Sequence, residues 1–246
     1  MKKLKLPSEV VYLVAIVLLA FSCAMLTSVD FGISMIVAPA YILSLVVPSL
    51  SFGQAEYVIQ GLLFLVFCIV MKNFRVSYLS AFVTALLYGA VLDLFRLIPL
   101  FNPAITAPGS MDLWARIVMF IAGVPLTALS VALFSKAYLY PEVYDLFFIG
   151  VSRKYCLKTS VVKTCFDAFM LVLGTVMSLA FFKKFVGINW GTLVMTLLNG
   201  TLISLFSKLL DKCVDIKPVF KCFASHFTLD EPIPTRIKHN AYKREA

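Results

Sequence analysis

Charged side chains set inside long apolar runs hold most of the chemistry this sequence can offer, because an ion in hydrocarbon is costly and persists where it is paired or used. Asp93 and Arg96 stand three apart near the end of one such run, and Lys163 and Asp167 four apart near the start of another. Either spacing puts both partners on one helical face, close enough to pair. A neutralised pair is one reading, with Lys163 snorkelling to the interface. The other is coupling, in which a carboxyl whose pKa is raised by burial carries a proton through a transport cycle. Asp167, deeper in its run, is the better candidate for that role. Glu56, with Gln54 and Gln60 beside it, either lines a cavity or faces lipid headgroups.

The elements that must position these residues are membrane helices. Hydrophobic residues make up 61% of the 246-residue chain and charged residues 14%, and the mean hydropathy is +0.94, outside the range of domains that fold in water. A bilayer core takes about 20 mostly apolar residues to cross, which predicts spans at 9–28, 54–72, 76–98, 114–136, 160–182 and 188–210. Backbone groups in lipid must be satisfied within the segment, so these spans are helices, and no alternating pattern of barrel strands competes. The expected fold class is all-α.

With the N-terminus inside, eighteen of the 22 Lys and Arg residues fall on the cytoplasmic side, the bias that sets topology. Arg96, Arg116, Lys183 and Lys184 are left outside. Both termini are then cytoplasmic. The net charge of +9 follows from this asymmetry and from attraction to anionic headgroups, so no nucleic-acid partner is expected. The basic start, Met1 to Lys5, leads into an apolar run too long for a signal peptide and reads as the first retained helix. The six cysteines lie in spans or in cytoplasmic segments, where thiols stay reduced, so disulfides are not expected.

The two halves resemble each other. A shift of 111 residues lays 76–95 over 187–206 with six identities in twenty, among them Gly89 with Gly200 and Leu94-Phe95 with Leu205-Phe206. Each half reads as a long span, an interrupted apolar loop, a span, a short turn and a span. Three crossings per copy invert the second copy, giving the 3+3 inverted repeat seen in many secondary transporters; two unrelated leucine-rich helices are the competing explanation. The interrupted loops are Phe31 to Ser51, with its uncharged run Ile33 to Val47, and Tyr140 to Ser152. Both are too short to cross, so they are re-entrant or interfacial. Pro39 and Pro141 are placed as first residues of short helices. Re-entrant half-helices present free N–H groups to a polar or anionic ligand, although Glu142 and Asp145 answer that dipole themselves in the second loop. Asn189 and Thr192, opening the last span, either cap it or bind ligand.

Several motifs resemble the YczE/YitT-like family of bacterial integral membrane proteins. They are Gly32-Ile-Ser-Met-Ile-Val-Ala-Pro-Ala-Tyr-Ile-Leu-Ser44, Ser51-Phe-Gly53, Tyr88-Gly-Ala-Val-Leu-Asp93, Lys163-Thr-Cys-Phe-Asp167 and Val186-Gly-Ile-Asn-Trp-Gly-Thr192. The resemblance covers about residues 30 to 210 and implies a bacterial inner-membrane protein of transporter-like character. The chain departs from the family pattern where a charged pair commonly precedes Gly-Thr: Asn189 and Trp190 stand there, which puts any role of that pair in doubt.

No Gly-rich phosphate loop, nucleophile elbow or His-Glu metal pair occurs, so neither an enzyme nor a cofactor is expected. Cys213, Cys222, His226 and His239 have no zinc spacing. The expected organisation is a three-helix repeat (1–98), an external connector (99–113), a second repeat (114–210) and a basic cytoplasmic tail (211–246). Three function classes follow. The first is a small secondary transporter holding its substrate between the halves near Pro39, Pro141, Asp93 and Asp167. The second is a substrate-binding membrane subunit of a larger uptake complex, its Ala20-x-x-x-Ala24 face packing on an energising partner. The third is a non-transporting scaffold or sensor that works through its basic tail. Lipid is a partner in every case, and a homodimer is compatible with each.

Overall fold

The computed structural model describes residues 4–72, 74 and 76–220. Within them the fold is all-α, apart from one pair of short strands. The helices are α1 (Ser8–Val29), α2 (Ala38–Val46), α3 (Phe52–Met71), α4 (Leu79–Phe95), α5 (Leu113–Phe134), α6 (Val143–Lys154), α7 (Thr159–Phe182) and α8 (Trp190–Cys213). Six of them are long and apolar enough to cross a membrane, α4 together with the 3-10 turn Val76–Tyr78 that leads into it. Each lies within a few residues of its expected span. The parts of the tail carrying Cys222, His226 and His239 fall outside the described residues.

Local chemistry sets the helix ends. Ser51 and Gln54 form a reciprocal capping box on α3, Gln54 N donating to Ser51 Oγ and Ser51 N to Gln54 Oε1, both at 3.0 Å. α1, α3 and α7 stop at residues in the left-handed region, Asp30 (φ 55), Lys72 (φ 52) and Lys183 (φ 58), each of which turns the chain out of the helix. Trp114 and Trp190, both largely exposed, begin α5 and α8 at the same end of the bundle, where the amphipathic indole suits the membrane interface. A strand pair that the apolar pattern gives no sign of closes the opposite end: β1 (Leu4–Pro7) runs parallel to β2 (Val214–Lys217). Glu9 fixes it by accepting from the backbone N–H groups of Val219 and Phe220.

α1 is the central helix. Its apolar stretch is 61% buried, against 6% for α8. α1 and α5 approach closely: Ser130 Oγ donates to Ala15 O at 2.7 Å, Thr127 Oγ1 to Ser22 Oγ at 3.1 Å, and a Cβ on Gly123 would strike Leu26. Ala20 and Ala24 of α1 are also fully covered. The Ala20 and Ala24 face is therefore spent inside the bundle, which removes it as a surface for an energising partner.

Around the α1–α5 axis the packing has a regular pattern. α4 packs on α1, and α8 on α5; α2 lies against α3 and α7, and α6 against α7 and α3. Exchanging α1–α4 for α5–α8 turns each of these pairs into another of them. The contacts of α4 with α3 and with α6 break the pattern, because α8 has no comparable packing on α7 or on α2. α8 therefore stands away from α7. Both short helices are buried against membrane helices rather than lying across an outer face: Ala38, Ala40 and Ile42 of α2 and Val143, Tyr144 and Leu146 of α6 are covered almost completely. The expectation for the prolines needs correction. Pro39 is the second residue of α2, and Pro141 precedes the cap residue Glu142 of α6. Pro141 lacks an N–H to give and fits a non-helical approach just as well as a first turn.

Candidate functional site

The space between α7 and α8 is a cavity of about 550 Å³, within the range of small-molecule sites. Its walls come from α1, α5, α7 and α8, the start of α6, the loop Ile33–Val37 and Tyr88 of α4. Most of the lining is apolar. Hydroxyls are scattered over the wall, but the charged groups sit together at α6 and α7, namely Glu142, Asp145, Lys163 and Asp167, and α8 adds the amide of Asn199.

The residues singled out in the sequence divide between the cavity and its surroundings. Lys163 and Asp167 pair as their spacing predicts, Nζ to Oδ2 at 3.2 Å, and both line the cavity together with Pro141. Lys163 Nζ also lies 5.0 Å from the centre of the Phe148 ring, where a cation is attracted by the ring face. Asp93 and Arg96 do not pair. Asp93 binds the start of α3 instead, accepting from Ser51 Oγ and from Gly53 N at 2.9 Å, while Arg96 lies over the Phe52 ring at 5.2 Å. The free N–H groups and positive end of a helix offer the Asp93 carboxylate several donors in fixed geometry. The pair is thus replaced by a clasp between α3 and α4. Gly53 and Gly89 complete it: a Cβ on Gly53 would collide with Gly89 O and with Asp93 Oδ2.

Asn189 and Thr192 cap α8, with Trp190 N donating to Asn189 Oδ1 at 2.9 Å and Asn189 N to Thr192 Oγ1 at 3.3 Å. Neither lines the cavity. This turn locks onto the end of α1 through Gly191 N to Phe31 O (2.8 Å) and Ile33 N to Gly187 O (3.0 Å). Gly32 sits there at φ 109, where an added Cβ would meet Thr192. Pro39 supports the contact of α2 with α7 at Gly174.

Glu56 is fully buried one layer behind the cavity wall. Its Oε2 accepts from Tyr144 OH at 2.9 Å and from Gln60 Nε2 at 3.2 Å, and Gln60 Oε1 accepts from Val143 N at 3.2 Å. The second oxygen of Glu56 has no hydrogen-bond partner, and neither does Glu142 Oε1. Glu142 lies between the membrane-spanning helices in sequence. Burial raises its carboxyl well above the ordinary value, and the neighbouring carboxyls of Glu56 and Asp145 add to the rise. Asn199 Oδ1 on α8 is a third buried acceptor without a donor. Sequence reasoning assigned Glu142 and Asp145 to the helix dipole and passed over Asn199. The signal that was available is a carboxyl in a short apolar segment among membrane helices, which is a candidate by its cost alone.

Among the described residues, no group of three or more His, Cys, Asp or Glu is placed to hold a metal ion. Comparison with curated proteins and with solved structures finds no match. A family model described as "Family of unknown function (DUF6198)" matches residues 6–208. That match spans α1 through most of α8, so the chain belongs to the DUF6198 family.

Proposed function

We propose that this protein is a small secondary transporter whose substrate occupies the cavity between α7 and α8, and that its halves form an inverted repeat. One contrast carries the reading. In the first half α3 and α4 are clasped through Gly53 and Gly89; in the second half the positions reached by the same 111-residue shift are Thr164 and Gly200, which face each other's helices across the cavity and both line it. A Cβ on Gly200 would meet nothing within 4 Å, whereas one on Gly89 would strike Tyr57. Two copies of one unit, one closed and one open, are what an alternating-access carrier requires: exchanging the two arrangements moves the opening to the other side.

The cavity lies toward the end of the bundle that holds α6 and Ser160, and the interlocked turns at Phe31–Ile33 and Gly187–Gly191 close the other end. The Lys and Arg distribution favours the cytoplasmic side for the end of the bundle that holds α6, and on that orientation, in a bacterial inner membrane with both ends of the chain inside, the cavity is inward-facing. The likeness to YczE/YitT-like proteins agrees with that reading. Asp167, paired with Lys163 in the cavity wall, is the candidate coupling carboxyl.

Proteoliposomes on a charge-sensing electrode, challenged with a panel of small metabolites, test the proposal. A saturable, substrate-dependent current is expected, abolished by Gly200→Trp, whose side chain fills the cavity from a position with room for it. Loss of proton dependence in Asp167→Asn would support that coupling role. A compound that binds the purified protein but drives no current or flux under any gradient would overturn the carrier reading.

A further inference from the structure

We infer that the cavity recognises an organic cation, an ammonium group carried on an apolar body, with Glu142 as its principal counter-charge and Asn199 as a second acceptor. The inference rests on the carrier reading for the cavity's purpose, but its chemistry stands on three separate observations.

The first is what the wall lacks. Glu142 is more than nine-tenths buried, lines the cavity and leaves Oε1 without a hydrogen-bond partner. Asn199 of α8 is half-buried, but it too lines the cavity and its Oδ1 atom is covered and without a partner. Asn199 Oδ1 is an acceptor, and Glu142 Oε1 becomes one when a bound cation draws its carboxyl into the charged form, so the group that matches both is a cationic donor, and each atom left unmatched carries its desolvation cost until one arrives. The second is charge. Three carboxyls line the cavity, Glu142, Asp145 and Asp167, against the single ammonium of Lys163. Lys163 is committed to Asp167 at 3.2 Å, so the side of the cavity built by α6 remains acidic. An anion would have to displace that pair and face Glu142 and Asp145. The third is the remaining surface. Tyr88, Phe134 and Phe148 share the lining with aliphatic side chains, a surface suited to an apolar body and to cation–π contact. A bare inorganic ion would leave most of a 550 Å³ space without a matching partner.

The sequence pointed instead to a polar or anionic ligand held at half-helix N-termini. At α6 that terminus carries Glu142 as its cap residue and Asp145 in its first turn. Its positive end is answered by the protein itself and presents acid to the cavity.

The test is calorimetric titration and thermal-shift measurement on the purified full chain. The probes are benzylamine, tetraethylammonium and spermidine, set against benzoate and benzyl alcohol as matched anion and neutral controls. Saturable binding of one or more of the cations is expected, with a rise in melting temperature, and with affinity falling at least tenfold in Glu142→Gln. Asn199→Leu is expected to weaken the same binding several-fold, and Gly200→Trp to abolish it, so the inference does not depend on one variant folding. Binding to phosphatidylethanolamine but not phosphatidylglycerol in nanodiscs, with the same Glu142 dependence, would place the ammonium on a lipid headgroup and keep the recognition. Benzoate binding in preference to benzylamine would overturn the inference while leaving a carrier of anions intact, and so would cation binding unaffected by Glu142→Gln and Asn199→Leu. A bound amine that is never moved across proteoliposomes would instead leave the site standing and remove the carrier.

Discussion

Glu142 is held in the folded protein at a cost. It has little solvent, one oxygen without a partner and two carboxyls nearby, so its folded-state pKa lies above the value of about 4.5 that it has when unfolded. A carboxyl shifted upward contributes stability that is complete below the unfolded pKa and is lost as pH rises through the folded one. The purified protein is therefore expected to melt at a lower temperature at pH 8 than at pH 5.5. Glu142→Gln, which keeps the shape and removes the charge, is expected to melt higher than the wild type at pH 8 and to flatten the difference. Each unit of raised pKa corresponds to about 1.4 kcal/mol. A wild-type melting temperature with the opposite slope, undisturbed by the variant, would show that other groups govern the pH response. Stability gained where binding is lost is the usual exchange at a functional site.

At the scale of elements, the α3–α4 clasp and the α7–α8 gap use positions related by the 111-residue shift in opposite ways. Gly53 is pressed on Gly89 O and Asp93, while Gly200 faces open space. Gly53→Ala is expected to destabilise by about 1–3 kcal/mol, the usual cost of forcing a methyl group into a packed contact. Gly200→Ala is expected to leave the melting temperature within about 0.5 kcal/mol of the wild type, as at other unpacked positions, or to raise it slightly through helix propensity. Thermal denaturation of both variants in one detergent separates the two. Equal effects would mean that the gap between α7 and α8 is not open in solution.

For the whole molecule, the carrier proposed above requires that α7 and α8 close at some point in its cycle. Thr164→Cys with Gly200→Cys, in a background freed of native cysteines such as neighbouring Cys165, is expected to cross-link under mild oxidation and to stop transport until reduced. Bound substrate should change the rate of that cross-link, because a ligand shifts only an equilibrium between states that it binds unequally. No cross-link under any gradient or ligand would remove α7–α8 closure from the cycle. The outer faces of α7 and α8, with Phe169, Val172, Leu193 and Leu197 exposed, are the surfaces that lipid covers and along which that movement would occur.

Length and hydropathy alone determined the six membrane helices, because a bilayer leaves the backbone few ways to satisfy its hydrogen bonds and so makes span detection a one-dimensional problem. The Lys163–Asp167 pair was legible for a similar reason: i,i+4 geometry is fixed by the helix itself. The capping of α8 by Asn189 and Thr192 was equally local. What the sequence left open depends on contacts between residues far apart in the chain. Asp93 and Arg96 satisfied the spacing rule for a pair, yet the start of α3, some 40 residues away, offered the carboxylate better-placed donors. The Ala20 and Ala24 face, the β1–β2 staple and the meeting of Glu142 with Gln60 and Glu56 are likewise products of helix packing. Small and apolar residues look the same in sequence whether they touch a neighbour, a lipid or a cavity, and only the tertiary structure decided that Gly89 is packed and Gly200 open.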